Sequence, residues 1–291
     1  MTFVQLEIFS MLAQLKSFTA VAKRLNISQS AVSHALKALE QQWNVRLFYR
    51  NKNEVELTVL GEELLIYSND ILHSRYGLEQ KIAAFNGIRS GTIRIGSFGA
   101  SSSNVLIPLI LEKFILKYPE IEILIEEGTD QQIAQWLIEG KIDIGFKVLP
   151  DDRFYTYPII EDIFVALIPK NYPLAQNNAV SLQQVIEYPF LMTAAGSQEH
   201  VSDMFKKANL TPNIKCTFSQ ILTIINMVNN QMGISIVADM AVDKSILSLY
   251  PNVSKHPLIP NVKRSIGLAV KSQNHLSPLL EAFIRIAQSI E

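Results

Sequence analysis

Residues 17–42, "SFTAVAKRLNISQSAVSHALKALEQQ", confine two amphipathic helical patterns to 26 residues, with only "LNIS" between them. Helices joined by so short a turn must cross steeply, as in a helix-turn-helix, and Ala20 and Ala22 keep the crossing close. The spacing predicts a second helix from Ser28, a favourable N-cap, with Val32, Leu36 and Leu39 as its buried stripe. Ser28, Gln29, Ser30, Ser33, His34 and Lys37 are then left on the open face. These side chains can bond to base edges and phosphates, so this helix is expected to enter a DNA groove. Upstream, "FVQLEIFSMLAQL" predicts a helix with Phe3, Leu6, Phe9, Leu12 and Leu15 on its apolar face. Downstream, "LFYRNKNEVELT" reads as a β-hairpin with Arg50 and Lys52 at its tip, suited to phosphates or minor groove. The three helices and the hairpin make a winged helix-turn-helix.

Charge agrees. The net charge is −1, yet the first sixty residues hold seven basic and four acidic groups, +3, and the remainder 19 basic and 23 acidic, −4. A basic front on an acidic body is expected where one end meets a polyanion.

From Thr58 to about Ile88 the chain lacks proline and reads as one helix of roughly 45 Å. Leu57, Leu60, Leu64, Tyr67, Ile71, Leu78 and Phe85 follow a heptad spacing broken by Ser74 and Lys81, which predicts a dimerisation seam. "GIRSG", 87–91, is the expected hinge. Beyond it strands and helices alternate: "TIRIG", "VLIPLILEKFILKYP", "IEILIEEG", "IAQWLIEG" and "KIDIGF", then "DIFVALIPKNYPL", "FLMT", "HVSDMFKKA", "IKCTF", "QILTIINMVNN", "GISIVA", "RSIGLAV" and "SPLLEAFIRIAQSI". Such alternation predicts parallel sheets covered by helices, in two α/β halves with crossings near 160–164 and 265–269.

In order over about sixty residues, "FTAVAKRLNISQSAVSHALKALE", Leu47-Phe48-Tyr49-Arg50 and Leu57-Thr58-Val59-Leu60-Gly61 resemble the LysR-type transcriptional regulators. Three departures stand out: Ser30 and Asp239 where the family often has proline, and Asn44 where a Leu-Gly pair is usual. The resemblance implies an α+β multidomain chain. Residues 1–60 would be the winged helix-turn-helix and 58–90 the linker helix and hinge. Residues 91–291 would be a type-two periplasmic-binding-protein-like effector domain, with subdomain I about 91–162 and 266–291 and subdomain II about 163–265. It further implies a homodimer or homotetramer on a pseudo-palindromic double-stranded operator, with RNA polymerase as a further contact.

Ligands of open α/β sheets bind beyond the carboxyl ends of the strands. The positions there are Ser97, Gly99, Ala100, Ser101, Ser102, Thr129 and Lys147 in the first half, with Thr193 and Ser219 in the second. The resemblance strengthens Ser97, Ser101, Ser102 and Thr129. A strand-to-helix turn of this kind favours anions, so a small anionic metabolite is expected, with Lys147 adding charge if it turns inward and otherwise snorkelling to the surface.

No enzyme pattern competes. The five histidines have no metal-ligand spacing, and no G-x-S-x-G elbow or phosphate loop occurs. Neither a metal nor a cofactor is expected. Cys216 is the single cysteine, which excludes a disulfide framework and leaves a peroxide sensor without its resolving thiol; a partly buried structural cysteine is expected instead. No apolar run reaches the ~20 residues of a membrane span, and no signal-peptide pattern opens the sequence, so no membrane partner and a cytoplasmic location are expected.

Overall fold

The structure, a computed structural model, describes residues 1–51, 54–85, 91–194, 197–273 and 276–290. Two compact units divide it near residues 87 and 88.

In the first unit, α1 (Phe3–Leu15) begins at a capping box, in which Thr2 Oγ1 accepts from Gln5 N–H and Gln5 Oε1 accepts from Thr2 N–H. Its buried face is Leu6, Ile8, Phe9 and Leu12. Phe3 and Leu15, expected on that face, are 48% and 44% exposed. Each sits at an end of α1, which packs on α2 (Phe18–Leu25) and α3 (Gln29–Trp43); Phe3 lies under the Arg75 guanidinium at 5.1 Å. Val21, Ala22, Val32, Leu36 and Leu39 complete the core with Leu47 and Phe48. Glu40 is buried, and its Oε1 accepts from Leu47 N–H at 2.8 Å, fixing the exit from α3.

Asn44 holds φ 55° at the end of α3, and its N–H and that of Val45 close on carbonyls of the last turn. Asparagine tolerates the left-handed region better than most residues, so it serves here as glycine would. Strands β1 (Phe48–Asn51) and β2 (Glu54–Leu57) pair antiparallel, Phe48 opposite Leu57. Lys52 and the hinge residues 87–90 lie outside the described residues.

Thr58 caps α4 (Val59–Phe85): its Oγ1 accepts from Gly61 N–H at 2.9 Å and donates to Arg46 O at 2.8 Å. A Cβ on Gly61 would meet the Leu47 carbonyl oxygen at 2.2 Å, so the Thr58/Gly61 spacing packs helix against wing. Ser10 Oγ donates to Asn69 Oδ1 at 2.7 Å, and Arg75 pairs with Glu7 at 2.6 Å. Leu64 packs on the helical core, contrary to its expected place in a dimer seam. Leu60, Tyr67, Ile71 and Leu78 remain exposed along the other side.

In the second unit β3 (Gly91–Phe98) pairs in parallel with β4 (Ile121–Gly128) and β5 (Ile144–Leu149). Between them run a π-helical segment, Ser101–Leu106, that passes directly into α5 (Ile107–Lys117), and α6 (Asp130–Ile138). Strand β6 (Tyr155–Pro169) belongs to both halves. Its first part pairs with β12 (Lys263–Val270), and its last part with β10 (Ser235–Ala238) and β11 (Val253–Ile259). The second crossing falls at Val262–Arg264, slightly ahead of its expected place.

Three more strands complete the sheets. Strand β7 (Val180–Ser181) continues the main sheet beside β11, and β8 (Pro189–Thr193) pairs in parallel with β9 (Asn213–Phe218). Helices α7 (Leu182–Val185), α8 (Gln198–Lys207), α9 (Ile221–Asn229), α10 (Lys244–Ser248) and α11 (Pro278–Ala287) account for the rest. Along β6, Phe164, Ala166 and Ile168 enter the core beneath α8, while Val165 and Leu167 enter the one beneath α9. The strand's period of two thus explains an apolar run without polar alternation. Cys216 is exposed, not partly buried as expected, because β9 is an edge strand of a two-stranded sheet.

Candidate functional site: the recognition helix and the cleft between the halves

On α3, Ser28 Oγ accepts from Ala31 N–H at 3.2 Å and lies 2.9 Å from Ser30 Oγ. Gln29, Ser30, Ser33, His34 and Lys37 are all exposed, on the side opposite Val32, Leu36 and Leu39. The fold therefore brings these polar groups onto one open helix face. The backbone of Arg50 lies in β1, opposite Val55.

In the second unit the expected ligand positions separate into five groups. Gly99, Ala100 and Ser101 do line a cavity with Thr193. Ser97 and Ser102 do not: they are buried and their hydrogens are spent. Ser102 Oγ donates to the Phe98 carbonyl, so Ser97 must donate to Ser102 at 2.9 Å and Ser103 to Ser97 at 2.7 Å. This chain locks the turn into the π-helical segment; π-type turns recur at functional sites. Thr129 caps α6, its Oγ1 accepting from Gln132 N–H at 3.2 Å, and lines a neighbouring cavity of about 130 Å³ with Gln131, Gln198, Glu199 and His200. Ser219 is exposed and lines neither cavity.

Lys147 corrects both expectations placed on it. Its side chain is fully buried, so it does not snorkel. Its Nζ is held by Asp130 Oδ2 and, at 3.2 Å, by Asp151 Oδ2, and it donates to Asp130 O at 3.0 Å. Two carboxylates neutralise it, which leaves no charge to spare for a ligand. Asp151 is also gripped by Arg153, whose hydrogen bonds, followed by Lys147, hold its carboxyl down at about 2.

The residue that organises the cleft is Arg264. It is buried at the start of β12, where its Nη2 and Nε donate to Asp162 Oδ2 at 2.7 and 3.1 Å. Nη2 also donates to Ser101 Oγ at 2.7 Å, and Nη1 approaches Ser197 Oγ at 3.5 Å. Phe98 and Phe164 flank the guanidinium, centroids at 5.8 and 5.2 Å. Burial lowers its pKa from the usual guanidinium value, an effect Asp162 opposes. Asp162 Oδ1 accepts from Ile163 N–H at 2.8 Å and Met240 N–H at 3.2 Å. That last bond ties in the loop of Asp239, which itself pairs with Lys255 at 2.6 Å. The charge in the usual proline position thus anchors this loop to β11.

A serine has one hydrogen to give. Because Ser101 accepts from Arg264, its own O–H stays available to an acceptor in the cavity. Across the cleft Gln131 donates to Glu199, joining the halves at the mouth. Burial, then the charge of Arg264, lowers the pKa of His200 from 6.5, so the ring is held neutral. Arg264, Asp162, Ser197 and His200 were missing from the expected site. The signal was present: "EDIFVALIP" and "RSIGLAV" are apolar strands that each begin with an opposite charge.

A polar helix-turn-helix face and a two-lobed α/β body with a polar cleft define a ligand-responsive class of DNA-binding regulator. Residues 3–62 match the model for the bacterial regulatory helix-turn-helix protein, lysR family, and 86–290 that for the LysR substrate binding domain. The chain belongs to the LysR family of transcriptional regulators. It is 31% identical to the uncharacterized HTH-type transcriptional regulator YvbU of Bacillus subtilis (strain 168), covering 100% of this chain and 99% of that one. Among solved structures, full-length OxyR of Pseudomonas aeruginosa with one cysteine-to-aspartate substitution has a TM-score of 0.81 at 23% identity, covering 100% of this chain and 94% of that one. Full-length CbnR complexed with its target DNA has a TM-score of 0.65 at 21% identity, covering 99% of both chains. Among the described residues no helix is long and apolar enough to cross a membrane.

Proposed function

We propose that this regulator senses a small anionic metabolite in the cleft between the halves of its second unit, and transmits its occupancy to DNA. The observation that carries this reading is the bond from Arg264 to Ser101, which turns a serine hydroxyl into a donor beside a buried cation. The N–H groups at the start of the π-helical segment add the partial positive charge of a helix end. Ser101, Thr193 and Ser197 would hold the acid group; Thr129 stands at the acidic mouth, nearer Asp130 and Glu199, and suits a donor end of the same molecule. Ser97 and Ser102 would act by locking the turn.

The cavity beside Ser101 is about 20 Å³, room for roughly one water, so a metabolite enters only if the halves part. The ligand then shifts the balance between two arrangements by its differential affinity. In this reading Ser28, Gln29, Ser30, Ser33, His34 and Lys37 meet base edges, and Arg50 and Lys52 the backbone or minor groove. The exposed seam of α4 pairs two chains, as homodimer or within a homotetramer, on a pseudo-palindromic operator, in the cytoplasm and within reach of RNA polymerase. Calorimetry of the full chain against small acids and their amides tests the ligand class. Acids should bind and amides should not, with Ser101→Ala weakening the acid at least about ten-fold. Preferential binding of a cationic or neutral series would refute it.

A further inference from the structure

A third and larger cavity, about 710 Å³, opens beside α8. Leu149 and Pro150 wall it from the first half, and Leu182, Met204, Ala208 and Leu210 from the second. Its size falls within the range of small-molecule pockets, ~300–1,000 Å³, whereas the cleft cavity holds roughly one water. Counted with their ion-pair partners, the charges of its polar rim sum to zero. Lys263 is paired with Glu161 at 3.0 Å and Arg264 with Asp162 at 2.7 Å. Asp203 and Lys207 stand one turn apart on α8 with opposite signs. His200, on the same wall, is held neutral.

We propose that this groove is a second ligand site, for an uncharged and mainly apolar molecule. An ion of either sign would lose hydration there against a rim of zero net charge, while an apolar body gains by covering the aliphatic wall. The groove is independent of the anion reading, but the two are coupled. Arg264 borders the groove and the Ser101 cavity, and His200 borders the groove and the Thr129 cavity. Both halves contribute walls, so a bound molecule favours one of their arrangements and changes the affinity of the cleft by the same factor that the cleft ligand changes its own.

The test is fluorescence titration of the full chain with N-phenyl-1-naphthylamine, a neutral two-part aromatic that brightens in apolar surroundings. It should saturate at one per chain. Ala208→Trp, which fills the groove, should weaken binding at least about ten-fold with the thermal midpoint unchanged, and Leu182→Gln, at a wall residue that also packs on the core, should weaken it as much at some cost in stability. Ser101→Ala should leave the titration as it was, which separates this site from the anion site. Binding without saturation, wild-type affinity in both groove variants, or tighter binding by the anionic anilinonaphthalene sulfonate would each overturn the proposal.

Discussion

Arg264 and Asp162 meet at 2.7 Å where β12 pairs antiparallel with β6, each side chain at most 3% exposed. Breaking such a pair from one side strands a buried charge, at a cost of about 3–5 kcal/mol. Asp162→Ala should approach the upper end, since Ile163 and Met240 N–H also lose their acceptor. The double variant Arg264→Met, Asp162→Leu should regain much of that stability yet lose the anion response. Urea unfolding of the three proteins checks this, and an unchanged midpoint for Asp162→Ala would contradict it.

His200 gives the molecule a pH dependence of defined sign. Its pKa is depressed from 6.5 by burial and by Arg264, so the folded state binds fewer protons than the unfolded one. The stabilisation is complete above the unfolded value and is lost as pH falls from about 6.5 towards the folded value, at up to ~1.4 kcal/mol per pH unit. His200→Gln should flatten the unfolding free energy between pH 5 and 7.

On α3, Gln29→Ala or Ser33→Ala should relax base choice at single positions, each worth about 1–3 kcal/mol. Arg50→Ala should instead weaken all sequences alike and lower the salt slope. Mobility shifts on operator and scrambled duplexes at two salt concentrations separate the two patterns; equal losses on both duplexes for Gln29→Ala would count against a groove contact.

The α4 seam is best probed at Ile71 or Leu78. Both are exposed in the single chain, so Leu78→Glu should leave the first unit folded while lowering the mass seen by light scattering. Leu64→Glu should behave differently and destabilise the unit itself, because Leu64 packs on its core. A wild-type chain that scatters as a monomer at working concentration would end the dimer reading.

Local patterns proved legible wherever one chain segment sets them. The Ser28 cap, the Val32/Leu36/Leu39 stripe and the Thr58/Gly61 spacing follow from hydrogen bonds and contacts within about a dozen residues. The cleft was legible as a place but not as a set of partners. Arg264 meets Ser101 across 163 residues, and which carboxylate faces Lys147 depends on where α6 begins relative to β5. Heptad spacing likewise marked α4 as two-sided without telling which side its own unit would claim. Leu64 and Tyr67 share the pattern, but only Leu64 is covered.

Strand β6 carries a mechanical consequence. It passes from one half to the other without a break in its backbone, hydrogen-bonded to β12 and then to β10 and β11. The halves are therefore joined by a torsion bar rather than a slack tether. On the proposed sensing mechanism, rotation of one half against the other would be taken up as twist along this strand, so ligand occupancy would be read out as an elastic angle of limited travel, and stiffening or loosening the bar would tune that response.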